Sequence, residues 1–161
     1  MIKVSSAFVA LLLGFAAGWE LGPFERFESE NPCLNVRTDT TFDCPLQRRA
    51  IRWESKDVFN PAAVVRDGLV HLLYRAEDHD GNLAGTSRVG LALSADGVSF
   101  PLGNRRTTPV LFPAQDPYQR LEWQGGIEDP RVVESPDGLY VMTYTASDSV
   151  SLANPLLLKK K

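Results

Sequence analysis

Two adjacent carboxyl side chains are candidates for acid chemistry in this sequence. Glu128 and Asp129 lie between a pair of glycines and Pro130. A carboxylic acid can deliver a proton to a leaving oxygen when burial or a second carboxylate raises its pKa. Because neighbouring side chains point to opposite faces of an extended segment, we expect only one of the two to enter a cleft. The alternative is that Asp129 only caps a turn before Pro130.

Asn60 and Arg75 are a second pair of candidate site residues. Asn60 precedes a proline, which favours an extended backbone, and it lies at the entry to the apolar run at residues 62–65. Arg75 follows the next apolar run, residues 69–74, and ends that strand, so a hairpin would place both residues at one end. Asn offers a donor and an acceptor to hydroxyl groups, and Arg offers a rigid fork of donors. The alternative is an ion pair from Arg75 to one of three carboxylates: Glu77, Asp78 or Glu128.

Short strands joined by tight turns must position these residues. The runs at residues 62–65 and 69–74 are separated by Arg-Asp-Gly, and Asp-Gly between apolar runs is a strong hairpin signal. Residues 89–93 form a third run, and residues 98–100 are expected to begin a fourth strand. The pattern starts again around the Asp-Gly turn at residues 137–138. We therefore expect an all-β chain with antiparallel strands in 60–100 and 130–146.

The chain also contains an internal repeat. Residues 60–75 align with residues 129–144 at an offset of 69. Each copy has a polar residue, a proline, a strand, an Asp-Gly turn and a strand with an aromatic residue near its end. Repeated units of this kind indicate β-propeller blades, of which the chain would hold about one and a half to two. The alternative is a small β-sandwich with an accidental internal similarity.

Four motifs carry a resemblance to a known family. In order they are Asn-Pro-Ala-Ala-Val at 60–64, residues 72–78, residues 86–92, and Gly-Gly-Ile-Glu-Asp-Pro-Arg at 125–131. They resemble the N-terminal part of glycoside hydrolase family 130, the β-mannoside phosphorylases and β-mannosidases. The resemblance implies a partial five-bladed β-propeller with its active site at the central axis.

The family resemblance also implies roles for individual residues. It implies that Asp129 is the general acid, acting through a sugar hydroxyl on β-mannoside oligosaccharides with inversion, and that Asn60 and Arg75 bind the mannosyl unit. Weaker substrate-binding candidates are Arg88, Glu128 and Arg131. Arg88 and Arg131 have the alternative of holding a carboxylate in place. Trp123 could stack on a sugar ring, with packing as its alternative.

The sequence also departs from the family. The family's phosphate-binding cations and its alternative catalytic base lie well beyond residues 128–131, and residues 147–161 do not resemble a blade. We therefore expect an incomplete and inactive fragment, in which inorganic phosphate would be a co-substrate only of a phosphorolytic reaction. No metal or organic cofactor is expected. The alternatives are a non-catalytic carbohydrate-binding β module and an inert relic. The sequence does not distinguish phosphorolysis from hydrolysis.

The N-terminus predicts export. Residues 7–17 carry no charge and are shorter than the roughly 20 residues that span a bilayer. With Lys3 before them, they fit a signal peptide at residues 1–18 and a periplasmic or extracellular location. The alternative is a buried strand or helix. We assign residues 19–52 to an irregular segment, 53–146 to the partial propeller and 147–161 to an atypical tail.

Charge and cysteine content limit the partners. Seventeen Lys and Arg against twenty Asp and Glu give a net charge of −3, which gives no reason to expect nucleic acid. No stable membrane span is expected. Cys33 and Cys44 either form a disulfide or remain free thiols. With two histidines elsewhere, they do not make a zinc pattern.

Overall fold

The structure is a computed structural model of the 161-residue chain. It describes Pro23, residues 25–80, residues 85–148 and the backbone of Leu156–Lys159. The predicted signal peptide, residues 1–18, lies outside the described residues. So does most of the predicted tail.

The described chain is folded almost entirely as β-strands. The strands are β1 (Phe42–Cys44), β2 (Arg49–Ile51), β3 (Asp57–Arg66), β4 (Leu69–Glu77), β5 (Ser87–Ser94), β6 (Gln124–Glu134), β7 (Tyr140–Asp148) and β8 (Leu156–Lys159). A single helical turn, α1 (Gln119–Glu122), and two 3-10 turns, Glu28–Glu30 and Leu102–Asn104, complete the described elements. None of the helices in this part of the chain has the length and apolar character to cross a bilayer. The all-β prediction is confirmed.

The strands form one small hairpin and one larger sheet. β1 pairs with β2, and β3 to β8 follow one another in sequence order across a six-stranded sheet. Neighbours are antiparallel except β5 and β6, which are parallel and joined by the single residue pair Ser87 and Gly126. We call β3–β5 the first blade and β6–β8 the second blade. The two blades therefore share one narrow backbone contact.

β8 was not expected from the sequence. Leu156–Lys159 pairs antiparallel with residues 143–146 of β7. Part of the segment that we predicted as an atypical tail is therefore a strand of the second blade.

The Asp-Gly turns form the hairpins that the sequence predicts. Asp67 and Gly68 have φ angles of 52° and 75°, and they connect the paired residues Arg66 and Leu69. Positive φ at both central residues is what a tight two-residue hairpin needs, and Asp and Gly tolerate it. Gly138 has a φ of 77° at the corresponding turn of the second blade. The antiparallel prediction for 60–100 and 130–146 is confirmed within β3 to β7.

The fourth strand predicted at residues 98–100 is wrong. The Asp96 carboxylate accepts hydrogen bonds from the backbone N–H groups of Val98 and Ser99, each at 2.8 Å. Those amides are therefore bound in a turn rather than in a strand ladder. Leu111 and Arg105 instead make isolated bridges with β5. The residues that pair with β5 therefore lie further along the chain than the strand predicted from the sequence.

A buried polar network attaches the segment before β3 to the first blade. Glu54 is fully buried and accepts hydrogen bonds from Thr40 at 2.8 Å, from Tyr74 at 2.9 Å and from the Arg105 guanidinium. Arg105 also donates to the backbone oxygen of Asn35 at 2.6 Å. A buried carboxylate is tolerated when it is paired in this way. Residues 19–52 were predicted to be irregular, but Thr40 and Asn35 of this segment contact the buried network.

Cys33 and Cys44 are free thiols in the structure. Cys44 is buried in the core cluster beside Trp53, whereas Cys33 is exposed. Of the two alternatives for the cysteines, the structure shows the unpaired one.

The junction between the blades gives a test of the fold. Gly126 has a φ of 107°, and a Cβ atom added there would lie 2.2 Å from the backbone oxygen of Ser87. We expect Gly126→Ala to lower the free energy of unfolding by about 2–4 kcal/mol, because a methyl group adds both clash and backbone strain. Urea denaturation measures this change.

Gly103→Ala is the matched control for this prediction. A Cβ at Gly103 meets no atom within 4 Å, so that variant should change stability by less than about 0.5 kcal/mol. Equal effects of the two variants would contradict the proposed junction.

Candidate active site

Asn60 and Asp129 occupy matching irregularities in the two blades. Asn60 has a φ of 43° and lies where the pairing of β3 with β4 shifts register between Phe59 and Ala62. Asp129 has a φ of 48° and lies at the register shift of β6 against β7, between Glu128 and Arg131. Asn and Asp are the non-glycine residues that best tolerate this left-handed conformation. The repeat predicted from the sequence is therefore preserved in the backbone.

The proline after each of these residues suits the irregularity. A β-bulge leaves residues out of the hydrogen-bond ladder and redirects their side chains. Proline has no N–H group to contribute to a ladder, so it is tolerated there. Asn60-Pro and Asp129-Pro are both skipped by the strand pairing. The bulges thus turn one polar side chain of each blade away from the alternation of its strand.

The bulges bring the two blades' polar residues together around Arg75. Asn60 Nδ2 donates to Asp129 Oδ1 at 2.8 Å, and Arg75 Nη1 donates to the same oxygen at 3.1 Å. Arg75 Nη1 also lies 3.1 Å from Glu128 Oε2. Asn60 and Arg75 therefore lie together, as the predicted hairpin requires, and Asp129 lies beside both. Their roles toward substrate stay predictions.

The side chains of Glu128 and Asp129 do not point to opposite faces, contrary to the alternation expected from the sequence. Both carboxylates contact the same nitrogen of Arg75. Strict alternation of side chains holds only for regular extended backbone, and the positive φ of Asp129 interrupts it. The bulge therefore places adjacent carboxylates on one cation.

Arg75 is held on its other sides by the first blade. Its Nε donates to Ser87 Oγ at 2.9 Å, and its Nη2 donates to Glu77 Oε1 at 2.7 Å. The guanidinium carbon lies 4.5 Å from the centre of the Phe59 ring. The ion pairs considered as the alternative for Arg75 are thus present with Glu77 and Glu128. They coexist with the contact to Asp129.

Arg88 and Arg131 differ in position. The Arg88 side chain is only 1% exposed and is paired with Asp78, and it also donates to the backbone oxygen of Thr86 at 3.0 Å. This is the carboxylate-holding alternative, and a side chain so buried presents no surface to a sugar. Arg131 is exposed and donates to the backbone oxygen of Pro130 at 2.8 Å. A substrate contact for Arg131 stays a prediction.

Trp123 directly precedes β6 and is partly buried. Its predicted stacking on a sugar ring also stays a prediction. The cluster around Arg75 is formed by other side chains and does not include Trp123.

The two adjacent carboxyls have opposite pKa shifts. Burial raises the pKa of Glu128, and the negative charges of Asp129 and Glu77 add to this effect, against the opposing charge of Arg75. Burial also favours the neutral form of Asp129, but hydrogen bonds from Asn60 and Arg75 outweigh it and hold the pKa below its ordinary value. The sequence argument expected a raised pKa in the acid, and in this structure Glu128 is the carboxyl that shows it.

Two contributors to the cluster were not assigned to the site from the sequence. Glu77 lies two residues after Arg75 on β4, so the period of two in a strand places both side chains on one face. Ser87 begins β5, opposite Glu77, and no local signal identifies it. In the described ranges, no group of three or more His, Cys, Asp or Glu side chains could hold a metal ion.

Comparison with known proteins identifies the family. A model of glycoside hydrolase family 130, described as beta-1,4-mannooligosaccharide phosphorylase, matches residues 24–156. The 1,2-beta-oligomannan phosphorylase of Thermoanaerobacter sp. (strain X514) is 43% identical over 96 residues, which are 58% of this chain and 29% of that protein.

Solved structures agree with this assignment. The crystal structure of a glycosyl hydrolase from Bacteroides ovatus has a TM-score of 0.79 at 45% identity, covering 88% of this chain and 38% of that one. A structure from work on glycoside hydrolases of family 130 that target beta-1,2 mannosidic linkages in Candida mannan also has a TM-score of 0.79, at 44% identity and with the same coverage.

The chain therefore belongs to glycoside hydrolase family 130. Its two blades are part of the five-bladed β-propeller of that family, as the sequence predicts. The chain spans 29% of the length of the curated relative and 38% of the length of these two solved structures.

The opposite pKa shifts predict opposite effects on stability. Asp129 has a lowered folded-state pKa, so its contribution is present above its unfolded pKa and is lost as pH falls through the folded pKa. Glu128 has a raised folded-state pKa. Its contribution to stability is therefore present below its unfolded pKa and is lost as pH rises through the folded pKa. At pH 7 we expect Asp129→Asn to destabilise and Glu128→Gln to stabilise, each by less than about 1 kcal/mol.

Urea denaturation of the two variants at pH 7 and at pH 3 tests this. The destabilisation by Asp129→Asn should shrink at pH 3, because pH 3 lies below the ordinary pKa of an aspartate of about 3.9 and the unfolded wild-type chain is then protonated at this residue. If both variants changed the free energy of unfolding in the same direction at pH 7, the opposite pKa shifts of Glu128 and Asp129 would be contradicted.

Proposed function

We propose that this chain carries the mannosyl-binding and proton-donating part of a family 130 site that acts on β-mannosides with inversion. The observation that supports it most directly is the shared contact of Asn60, Arg75 and Asp129 at one carboxylate oxygen. Two amide or guanidinium donors beside a carboxylate are suited to sugar hydroxyls, which both donate and accept hydrogen bonds.

Binding of a sugar would change the protonation of Asp129. Its pKa is low because Asn60 and Arg75 donate to it. A hydroxyl group placed between Asp129 and these donors takes over their hydrogen bonds, and this removes the interactions that favour the ionised form. The carboxyl then becomes a better proton donor when the substrate is in place. Such coupling would reconcile a low pKa in this structure with the role of general acid.

The Glu128 and Asp129 carboxylates are not suited to act as an inverting pair with each other. In inverting glycosidases the acid and the base are roughly 6.5–9.5 Å apart, so that a water fits on the far side of the sugar. Glu128 Oε2 and Asp129 Oδ1 each lie 3.1 Å from the same nitrogen, so these oxygens are closer to each other than that range. The group that activates water, or the cations that hold phosphate, must come from elsewhere.

We therefore propose that the chain by itself is incomplete as a catalyst. One relative is a 1,2-beta-oligomannan phosphorylase, and one similar structure comes from work on glycoside hydrolases that target beta-1,2 mannosidic linkages. The nucleophile of the reaction is thus either phosphate or water, and β-1,2-mannobiose is the substrate to test first.

A second candidate function is a non-catalytic carbohydrate-binding module. The observation in its favour is that Asn60 and Arg75, the hydroxyl-binding candidates, lie with Asp129 in one partly exposed cluster. Such a module would bind mannosides without an acid, so its affinity would not depend on the proton of Asp129.

Turnover and binding measurements test the first proposal, and a dependence of the mannobiose affinity on the protonation of Asp129 separates it from the second. We expect the purified chain to release neither mannose nor mannose 1-phosphate from β-1,2-mannobiose, with or without phosphate, because the second catalytic group is not supplied by this cluster. NMR titration should nevertheless show mannobiose perturbing the signals of Asn60, Arg75 and Asp129, and Arg75→Ala should abolish this.

Two outcomes would contradict this proposal. Turnover that Asp129→Asn abolishes would show that the chain is a complete catalyst, since Asn retains the shape but has no transferable proton. Absence of any perturbation at saturating mannobiose would remove the support for a mannosyl site.

A further inference from the structure

Arg75 has three nitrogens, and two of them are engaged by residues with no role assigned above. Nε donates to Ser87 Oγ at 2.9 Å and Nη2 donates to Glu77 Oε1 at 2.7 Å. Only Nη1 reaches Asp129 and Glu128. The guanidinium is planar and rigid, so fixing two of its nitrogens also fixes the direction of the third.

Glu77 is itself held in place. Its Oε1 accepts from both Arg75 and Ser87 Oγ, the latter at 3.2 Å, and its Oε2 accepts from Lys56 Nζ at 2.7 Å. The side chains of Glu77 and Arg75 are 12% and 14% exposed. Hydrogen bonds to charged groups in such a partly desolvated place are stronger than at the surface. The hydroxyl of Ser87 therefore closes a ring of contacts with Arg75 and Glu77.

We propose that Glu77 and Ser87 are positioning residues that direct Arg75 Nη1 onto Asp129. Neither contacts Asp129, so each acts through the guanidinium. Ser87 is also the residue that pairs with Gly126 at the single backbone contact between the blades. The same residue thus fixes the side chain of Arg75 and the backbone of the strand that bears Asp129. Its importance for proton delivery rests on the proposed function, whereas the positioning itself does not.

The charged groups around Asp129 make the positioning measurable. Arg75 and Arg131 lower its pKa, together with the hydrogen bond from Asn60, and burial opposes them. Asp129 in turn raises the pKa of Glu128, as Glu77 does. If Arg75 is released from Ser87 and Glu77, its contact with Asp129 weakens and the pKa of Asp129 rises.

Ser87→Ala is the decisive variant because it changes no charge. Carboxyl-detected NMR titration of the full chain, without any sugar, should show the pKa of Asp129 raised by about 0.5–1 pH unit. Glu77→Gln should also raise it. If Glu77 acted only through its charge, loss of a negative charge would lower the pKa instead, so the sign of the shift distinguishes positioning from electrostatics.

Ser99→Ala and Glu134→Gln are the matched controls. Ser99 donates to Glu30 at an exposed site, and Glu134 is an exposed residue at the end of β6. Both should leave the pKa of Asp129 unchanged. Folding of all variants is checked by the dispersion of their amide spectra.

Each result of these titrations either supports or overturns the positioning role. An unchanged pKa of Asp129 in Ser87→Ala overturns the proposal, and a lowered pKa in Glu77→Gln overturns it for Glu77. A variant that does not fold would show a structural role in place of positioning and would overturn the proposal for that residue. If the pKa rises as expected but mannobiose does not bind, the proposed function fails and the positioning stands.

Discussion

The contact of one arginine nitrogen with two carboxylates is the interaction on which the site depends. Arg75 Nη1 belongs to the first blade, whereas Glu128 and Asp129 belong to the second. In the described residues, strand pairing between the blades is limited to one parallel residue pair of β5 and β6, and apolar side chains of both blades pack together in one core cluster. An ion pair that is partly buried and also hydrogen-bonded is stronger than an exposed one. The cluster therefore joins the blades as well as presenting polar groups.

This contact requires irregular backbone. In regular strands the side chains of Glu128 and Asp129 would point to opposite faces, and Asn60 would follow the alternation of β3. The bulges before Pro61 and Pro130 change both directions by means of a positive φ. Left-handed backbone costs free energy for a residue with a side chain, and such strain is often found at functional sites. The repeated bulge is consistent with a shared role for the two positions.

Much of this arrangement could be predicted from the sequence because it is local. The Asp-Gly turns, the strands on either side and the equivalence of Asn60 and Asp129 follow from short-range rules. Other features depend on distant contacts. The packing of Glu54 against Arg105, the pairing of Ser87 with Gly126 and the strand β8 have no local signature. The strand predicted at 98–100 is not formed, because the Asp96 carboxylate accepts hydrogen bonds from the backbone amides of Val98 and Ser99.

A double-mutant cycle between Arg75 and Asp129 tests the central claim most directly. The free energy of unfolding is measured at pH 7 for the wild-type chain, Arg75→Gln, Asp129→Asn and the double variant. Residues in direct contact show coupling energies of about 0.5–3 kcal/mol, and since Asp129 is partly exposed we predict about 0.5–1 kcal/mol. Additive effects, with a coupling below about 0.3 kcal/mol, would show that Arg75 does not join the two blades at this carboxylate.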